Sequence, residues 1–344
     1  MLFRSPLGRA TGTVEGLEGV AVLTTLTRNN VETAVRSATR APSVLNVQPW
    51  RFVAHDDVIE LHRDPNRVLP VVDPSNRALT VSCGAALFNL RLAVAHLVGP
   101  PEVELLPDPS AHSLLATVRA GDAPKPTPVE SRLLAAIPER RSSRVPFVDQ
   151  PLSVESVVRL EDAATKEGAT LRFLNAFEAA DVSRLVHQAD LVQRADADLR
   201  AEVGRWTGRG PGAVDGIPNV SLGPAAKDPS SLVRDFALGL PVEDRERVEF
   251  ERHPTLAVLL TDHDGPADWL RAGQALERLW LEATVAGVAV SLLTQPLELP
   301  SMRWLARPPT AGTFWPQALI RLGVPTGPTP PTPRRPVADV LIFA

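Results

Sequence analysis

The chain has 344 residues, of which 44% are hydrophobic and 22% charged, with a formal charge of −4. That is the composition of a folded globular chain, which excludes wholesale disorder and argues against nucleic acid as the main partner. The single cysteine, Cys83, excludes an internal disulfide or a thiolate metal cluster. No run approaches the ~20 apolar residues of a membrane span or forms a signal-peptide core, so a cytoplasmic protein is expected.

Residues 1–29 show no periodic pattern and are expected to form an N-terminal arm. Asn30 then reads as an N-cap, with Glu32 in the first turn and a helix to about Arg40. Residues 41–49 cannot continue it, because Pro42 and Pro49 interrupt the segment. Residues 51–54 and 58–62 flank Asp56-Asp57 as a hairpin. Asp73-Pro74-Ser75 opens a long helix whose apolar face, Leu79, Cys83, Ala86, Leu90, Ala93, Val94 and Leu97, follows a 3.6-residue period. A strand at 102–106 follows, then a Pro-rich linker at about 120–128.

Beyond the linker, helices are predicted at 129–137 and at 154–166, the latter capped by Ser153, with a strand at 169–174 and a helical region at 176–203. Residues 204–249 are rich in Gly, Pro and Ser; a loop of this length in a compact domain reads as a lid. Strands are predicted at 256–261, 288–293, 317–322 and 337–343, with a long helix at 267–286. The two long helices share G-x-A-L-x-x-L-x-L, starting at Gly84 and Gly273. That repeat predicts an α+β fold in two halves of similar plan, residues 30–122 and 129–344, the second carrying the lid.

Three segments offer chemistry. Ser43, Asn46 and Gln48 lie between two prolines and supply neutral donors and acceptors. Arg140-Arg141-Ser142-Ser143-Arg144 combines guanidinium forks with hydroxyls, which suits phosphate. Arg334 and Arg335 sit on a stiff Pro-rich extension. Thirty-three of the 36 basic residues are arginine, so anion contacts will come from planar forks. The histidines show no paired metal spacing, and G-x-S-x-G is absent.

Pro42-Ser43-x-x-Asn46-x-Gln48-Pro49-Trp50, Arg140-Arg-Ser-x-Arg144 and a late Leu-Gly-Val-Pro followed by Pro-Arg334-Arg335-Pro resemble the hallmarks of the nitroreductase flavoprotein superfamily. Trp206-Thr-Gly208, Gly216-Ile-Pro218, Ser221-Leu222 and Arg234-Asp-Phe236 make the chain similar to its double-length, Acg-like actinobacterial subfamily. The resemblance implies a tandem fused fold, a pseudo-dimer of two α+β halves with central antiparallel sheets flanked by helices. It also implies one composite FMN site per chain, because each half lacks the motif that the other keeps.

By resemblance, Arg140, Ser142, Arg334 and Arg335 belong to the FMN phosphate and Arg144 to the pyrimidine side, with Arg141 also among the cofactor-binding residues. Ser43, Asn46, Gln48, Pro49, Trp50, Arg51 and Phe52 line the ring, and Thr294 lies against it. No catalytic side chain and no metal is implied. The implied activity is NAD(P)H-dependent reduction of a small oxidant, a nitroaromatic or quinone. The alternative is an FMN-sequestering protein whose lid blocks the ring. Neither reading calls for a nucleic acid or a membrane; a monomer suffices, and a homodimer stays open.

Overall fold

The computed structural model describes residues 26–121, 126–210, 212–240 and 242–344. Most of the expected N-terminal arm, part of the linker (122–125) and lid positions 211 and 241 lie outside them.

Helix α1 (Arg28–Ala38) starts earlier than the sequence predicts. Thr27 is its N-cap, and its side chain accepts from the Asn30 backbone N–H. Asn30 thus lies inside the first turn, where a free donor needs a partner. Strands β1 (Trp50–His55) and β2 (Val58–Arg63) form the hairpin, turning at Asp56. Helix α2 (Arg77–Leu97) begins after the Asp73-Pro74-Ser75 turn, where an Asp73 carboxylate oxygen accepts from Leu79 N at 2.8 Å. By length and composition α2 could cross a membrane, but 89% of its apolar window is buried inside the protein, as in a core helix. Strand β3 (Glu102–Leu105) pairs with β4 (Leu114–Arg119), a strand the sequence reading did not foresee.

Helices α3 (Pro128–Ala136) and α4 (Val154–Thr165) follow, with a Thr127–Glu130 capping box on the first and a Ser153 cap on the second. Strand β5 (Thr170–Phe173) leads to α5 (Ala176–Ala195) and α6 (Ala197–Trp206). Among its described residues the lid segment holds the short strands β6 (Thr207–Arg209), β7 (Ile217–Pro218), β8 (Ala225–Ala226) and β9 (Arg247–Val248) and a helical turn at Asn219–Ser221. Then come β10 (Thr255–Thr261), α7 (Pro266–Val285), β11 (Ala289–Leu292), β12 (Trp315–Gly323) and β13 (Leu341–Phe343).

The two halves repeat one topology. The first sheet runs β13-β1-β2-β4-β3 and the second β5-β10-β12-β11, so the order β1-β2-β4-β3 recurs. Both are antiparallel except for β13, which crosses from the second half and pairs parallel with β1. Only the last three residues of the strand predicted at 337–343 are extended; 337–339 form a helical turn.

The sheets are joined through α2 and α7, which touch where the repeated glycines fall. A Cβ on Gly84 would sit 2.3 Å from Leu270 O and 3.0 Å from Gly273 Cα; one on Gly273 would sit 2.0 Å from Val81 O. Val81 and Leu270 each precede their glycine by three residues, so the contact is reciprocal. Each side chain also enters the opposite half's core: Leu270 packs with α1, β1 and β2, and Val81 with α4, β5 and β12.

Backbone atoms cannot retreat from an added methyl. Gly273→Ala should lower stability at or beyond the upper end of the ~1–3 kcal/mol of overpacked cores. Gly204→Ala in α6 meets open space and should raise it by about 0.5–1 kcal/mol. Urea midpoints of the two variants measure both.

Candidate functional site

The α2–α7 pair forms one wall of a cavity between the halves, with about 1090 Å³ of space free of atoms, part of it open to solvent. The Ser43–Asn46 turn, the 142–144 segment, the β11 end and lid residues Ile217, Arg234 and Phe236 complete its lining. A small polar recess adjoins it, walled by Arg40, Arg140, Arg141, Ser142, Thr332 and Arg334. Ser142, Thr332 and Arg334 belong to both spaces.

The turn after α1 is built under strain. Leu45, Asn46 and Gln48 all adopt left-handed backbone, at φ 48°, 53° and 52°, a conformation that costs non-glycine residues energy and clusters at functional sites. Local bonds hold it: Ser43 Oγ accepts from Gln48 N at 3.0 Å, and Ser82 Oγ from Val44 N at 3.1 Å. The equivalent junction between α4 and β5 is a short turn through Gly168 at φ 73°, with no comparable loop. The strained turn thus occurs in one half only.

The recess gathers positive charge. Arg140 Nη2 donates to Arg40 O, and Arg334 donates to the carbonyls of Arg40 and Ala41 and to Asn46 Oδ1. Glu277 of α7 approaches Arg140 at 3.5 Å and accepts from Asn89 Nδ2. Burial, then the charges of Arg140 and Arg40, pushes Arg334 down to about 9. Burial also lowers Arg140 and raises Glu277. Guanidinium groups do not surrender protons readily, so this strain on the charged forms favours an anion. Arg140 Nε and Nη1 and Arg334 Nε are buried with no hydrogen-bond partner. Trp280 braces the recess, its ring 4.8 Å from the Arg140 guanidinium and its Nε1–H donating to Arg141 O.

The residues singled out from the sequence divide into three groups. Ser43, Asn46, Ser142, Arg144, Thr294 and Arg334 line the cavity; Arg140 and Arg141 line the recess. Gln48, Pro49, Trp50, Arg51, Phe52 and Arg335 line neither. Strand alternation explains three of these: Trp50 and Phe52 point into the first core, fully buried, and Arg51 points to solvent. Pro49 is buried, and its carbonyl accepts from Asp64 N. Arg335 is turned away, bonding Gln48 O and Asp339 O and approaching Asp64 at 3.5 Å.

Other residues join the site that the sequence did not single out. Arg40 ends the α1 region beside the strained turn. Arg77 opens α2 and donates to Gln317 O and Oε1; burial, then Arg303, pushes it down to about 10. The lid's own contribution is buried: Arg234 is 1% exposed. Its Nη2 donates to Glu298 at 2.8 Å, and it also bonds Gln193, which donates to the same carboxylate at 2.7 Å. Phe236 lies under two cations, Arg144 at 4.9 Å and Arg234 at 5.1 Å. Arg144 donates to Ser221 O of the lid at 2.7 Å, and burial, then Arg234, pushes it down to about 10.

Comparison with known proteins places this architecture. The chain is 33% identical over 323 residues to a Mycobacterium tuberculosis H37Rv protein provisionally named NAD(P)H nitroreductase acg, covering 92% of this chain and 96% of that one. It is also 33% identical over 318 residues to Rv3131 of the same strain, again provisionally named an NAD(P)H nitroreductase, with 90% of each covered. The chain therefore belongs to the nitroreductases of the double-length, Acg-like family. No protein-family model matches it. Among solved structures it resembles the FMN- and NADPH-dependent nitroreductase NfnB of a Sphingopyxis strain (TM-score 0.39, 16% identity, 62% of this chain, 98% of that one). It also resembles an FMN-bound nitroreductase of Bacteroides fragilis (TM-score 0.37, 14% identity, 59% and 94%).

Removing the lid's anchor should loosen the lid alone. Arg234→Met leaves Glu298 buried without its cation, a change that costs about 3–5 kcal/mol in buried pairs. Backbone amides of residues 231–238 should then exchange faster with solvent while those of β10 and β12 keep their protection, as read by hydrogen exchange.

Proposed function

We propose that the protein is an FMN-dependent oxidoreductase of nitroreductase type that takes electrons from NAD(P)H and passes them to a small oxidant, a nitroaromatic or quinone. The observation that carries this reading is the cationic recess opening into the interface cavity. Three of its buried guanidinium nitrogens, Arg140 Nε and Nη1 and Arg334 Nε, lack hydrogen-bond partners, and a phosphate on a flat, ring-bearing ligand would satisfy them.

Arg140, Arg141, Ser142 and Arg334 would hold the phosphate, with Arg40 beside them. Ser43, Arg144 and Thr294 would flank the rest of the cofactor between the halves. FMN, when bound, supplies the two-electron chemistry that links a nicotinamide to an oxidant. The chain's own part is to bind, orient and shield. Arg144 and Arg77 bring positive charge to the cavity, which favours electron-rich ligand atoms there. Phe236 and Ile217 close one side and exclude water. A monomer would suffice, since both halves of the site lie on one chain.

A second reading keeps the cofactor and drops the turnover: a protein that sequesters FMN. The observation that favours it is the depth of the lid's anchor, with Arg234 and Glu298 both buried and paired. Anaerobic addition of NADPH to the purified yellow protein separates the two. Bleaching of the flavin bands supports the oxidoreductase. Bands that persist with NADPH and bleach with dithionite support sequestration.

The double variant Arg140→Ala, Arg334→Ala should purify without flavin and bind added FMN at least 100-fold more weakly, since hydrogen bonds to charged groups contribute about 1.5–3 kcal/mol each. Unchanged affinity by fluorescence titration would overturn the phosphate assignment.

A further inference from the structure

Asn46 and Gln48 were expected at the ring, yet their polar atoms are already engaged elsewhere. Asn46 Nδ2 donates to Gly216 O at 2.8 Å and to Pro333 O at 3.1 Å, while its Oδ1 accepts from Arg334. Its backbone O accepts from Gly216 N. Gln48 is fully buried; its Nε2 donates to Val214 O at 2.9 Å, and its Oε1 accepts from Arg335 N at 2.9 Å. The two amides therefore join three segments far apart in sequence: the strained turn, lid residues 214–216 and the tail 333–335. A carboxamide is the group suited to this, since it donates to one carbonyl and accepts from a donor at the same time.

The same stretch of lid is tied a second time. Asp215 accepts from Arg67 and from Arg209, each at 3.0 Å, and Arg67 also donates to Val47 O within the turn.

We infer that Asn46 and Gln48 are positioning residues that latch the lid over the cavity, and that Asn46 links the latch to the anion recess through Arg334. An anion drawing Arg334 toward the recess competes with Asn46 Oδ1 for the same guanidinium. Recess occupancy then changes how firmly Asn46 holds Gly216. The left-handed backbone at 46 and 48 fits this role, because both side chains there reach lid and tail. The coupling to cofactor rests on the FMN reading; the latch itself does not.

The test compares wild type with Asn46→Asp and Gln48→Leu in the full-length protein. Asn46→Asp puts a carboxylate against two carbonyl oxygens, and Gln48→Leu removes both bonds at similar volume. Hydrogen exchange at residues 212–222 should quicken at least tenfold in each, with β10 and β12 unchanged. Bound FMN should leave at least tenfold faster, while its visible spectrum keeps the wild-type shape. Asp215→Asn, which weakens the second tie without touching the cavity turn, should shift exchange at 212–222 the same way. Unchanged lid exchange in all three variants overturns the latch. A shifted flavin spectrum with unchanged lid exchange assigns Asn46 and Gln48 to the ring instead. Wild type that binds no FMN would fail the cofactor reading, yet lid exchange would still report on the latch.

Discussion

Two glycines in contact set the distance between the halves, and the cavity exists because of that distance. Gly84 and Gly273 bring α2 and α7 together at backbone range. At that range Val81 and Leu270 cross into each other's cores, so each half completes its partner's packing. A larger residue at either position would push the helices apart and widen everything along them. The recess is among the first places affected, since Glu277 and Trp280 project from α7 only one turn or two beyond Gly273. The fold's symmetry axis and its binding chemistry thus share one helix pair.

Departure from that symmetry confines the site to one place. The first half spends eleven residues (39–49) between α1 and β1 and bends them through three left-handed positions. The second passes from α4 to β5 in four (166–169), with Gly168 making the turn. The lid also belongs to one half only, and β13 adds a fifth strand to one sheet only. A tail that must reach β1 is carried past the recess, which puts Arg334 beside Arg140. The strand exchange at β13 is therefore also what delivers a cation to the cavity.

Much of this was legible in residue patterns, and the exceptions have physical causes. The repeat G-x-A-L marked both central helices, but periodicity cannot say that two glycines 189 positions apart will touch. Strand β4 escaped notice because Leu114-Leu-Ala-Thr-Val-Arg119 alternates poorly: it lies inside the sheet, paired on both edges, and two adjacent residues are buried. Trp50 and Phe52 sat within a motif that suggested the ring, yet their two-residue spacing on β1 already placed them on the core face. Arg234 and Glu298 are 64 residues apart; only the folded lid brings them together. Of the motif arginines, Arg140, Arg141 and Arg334 do line the recess and Arg144 the adjoining cavity, whereas Arg335 turns toward Asp64 and Asp339.

Recess and halves are physically one system. Arg40 follows α1, Arg140 follows α3 and Arg334 lies on the tail; they converge only when both halves and the tail are in place. Buried like charges oppose that convergence, and burial alone already disfavours the Arg334 cation. Carbonyl oxygens at positions 40 and 41 offset part of the cost, and Glu277, 3.5 Å from Arg140, brings one negative charge against three guanidinium groups. An anion that binds only the assembled recess therefore stabilises the assembly itself, since a ligand that favours the native state shifts folding toward it. The same free energy that holds the ligand holds the tail against the strained turn, and through Asn46 it reaches the lid. Affinity, lid position and the union of the halves are three readings of a single balance of charge at the interface between them.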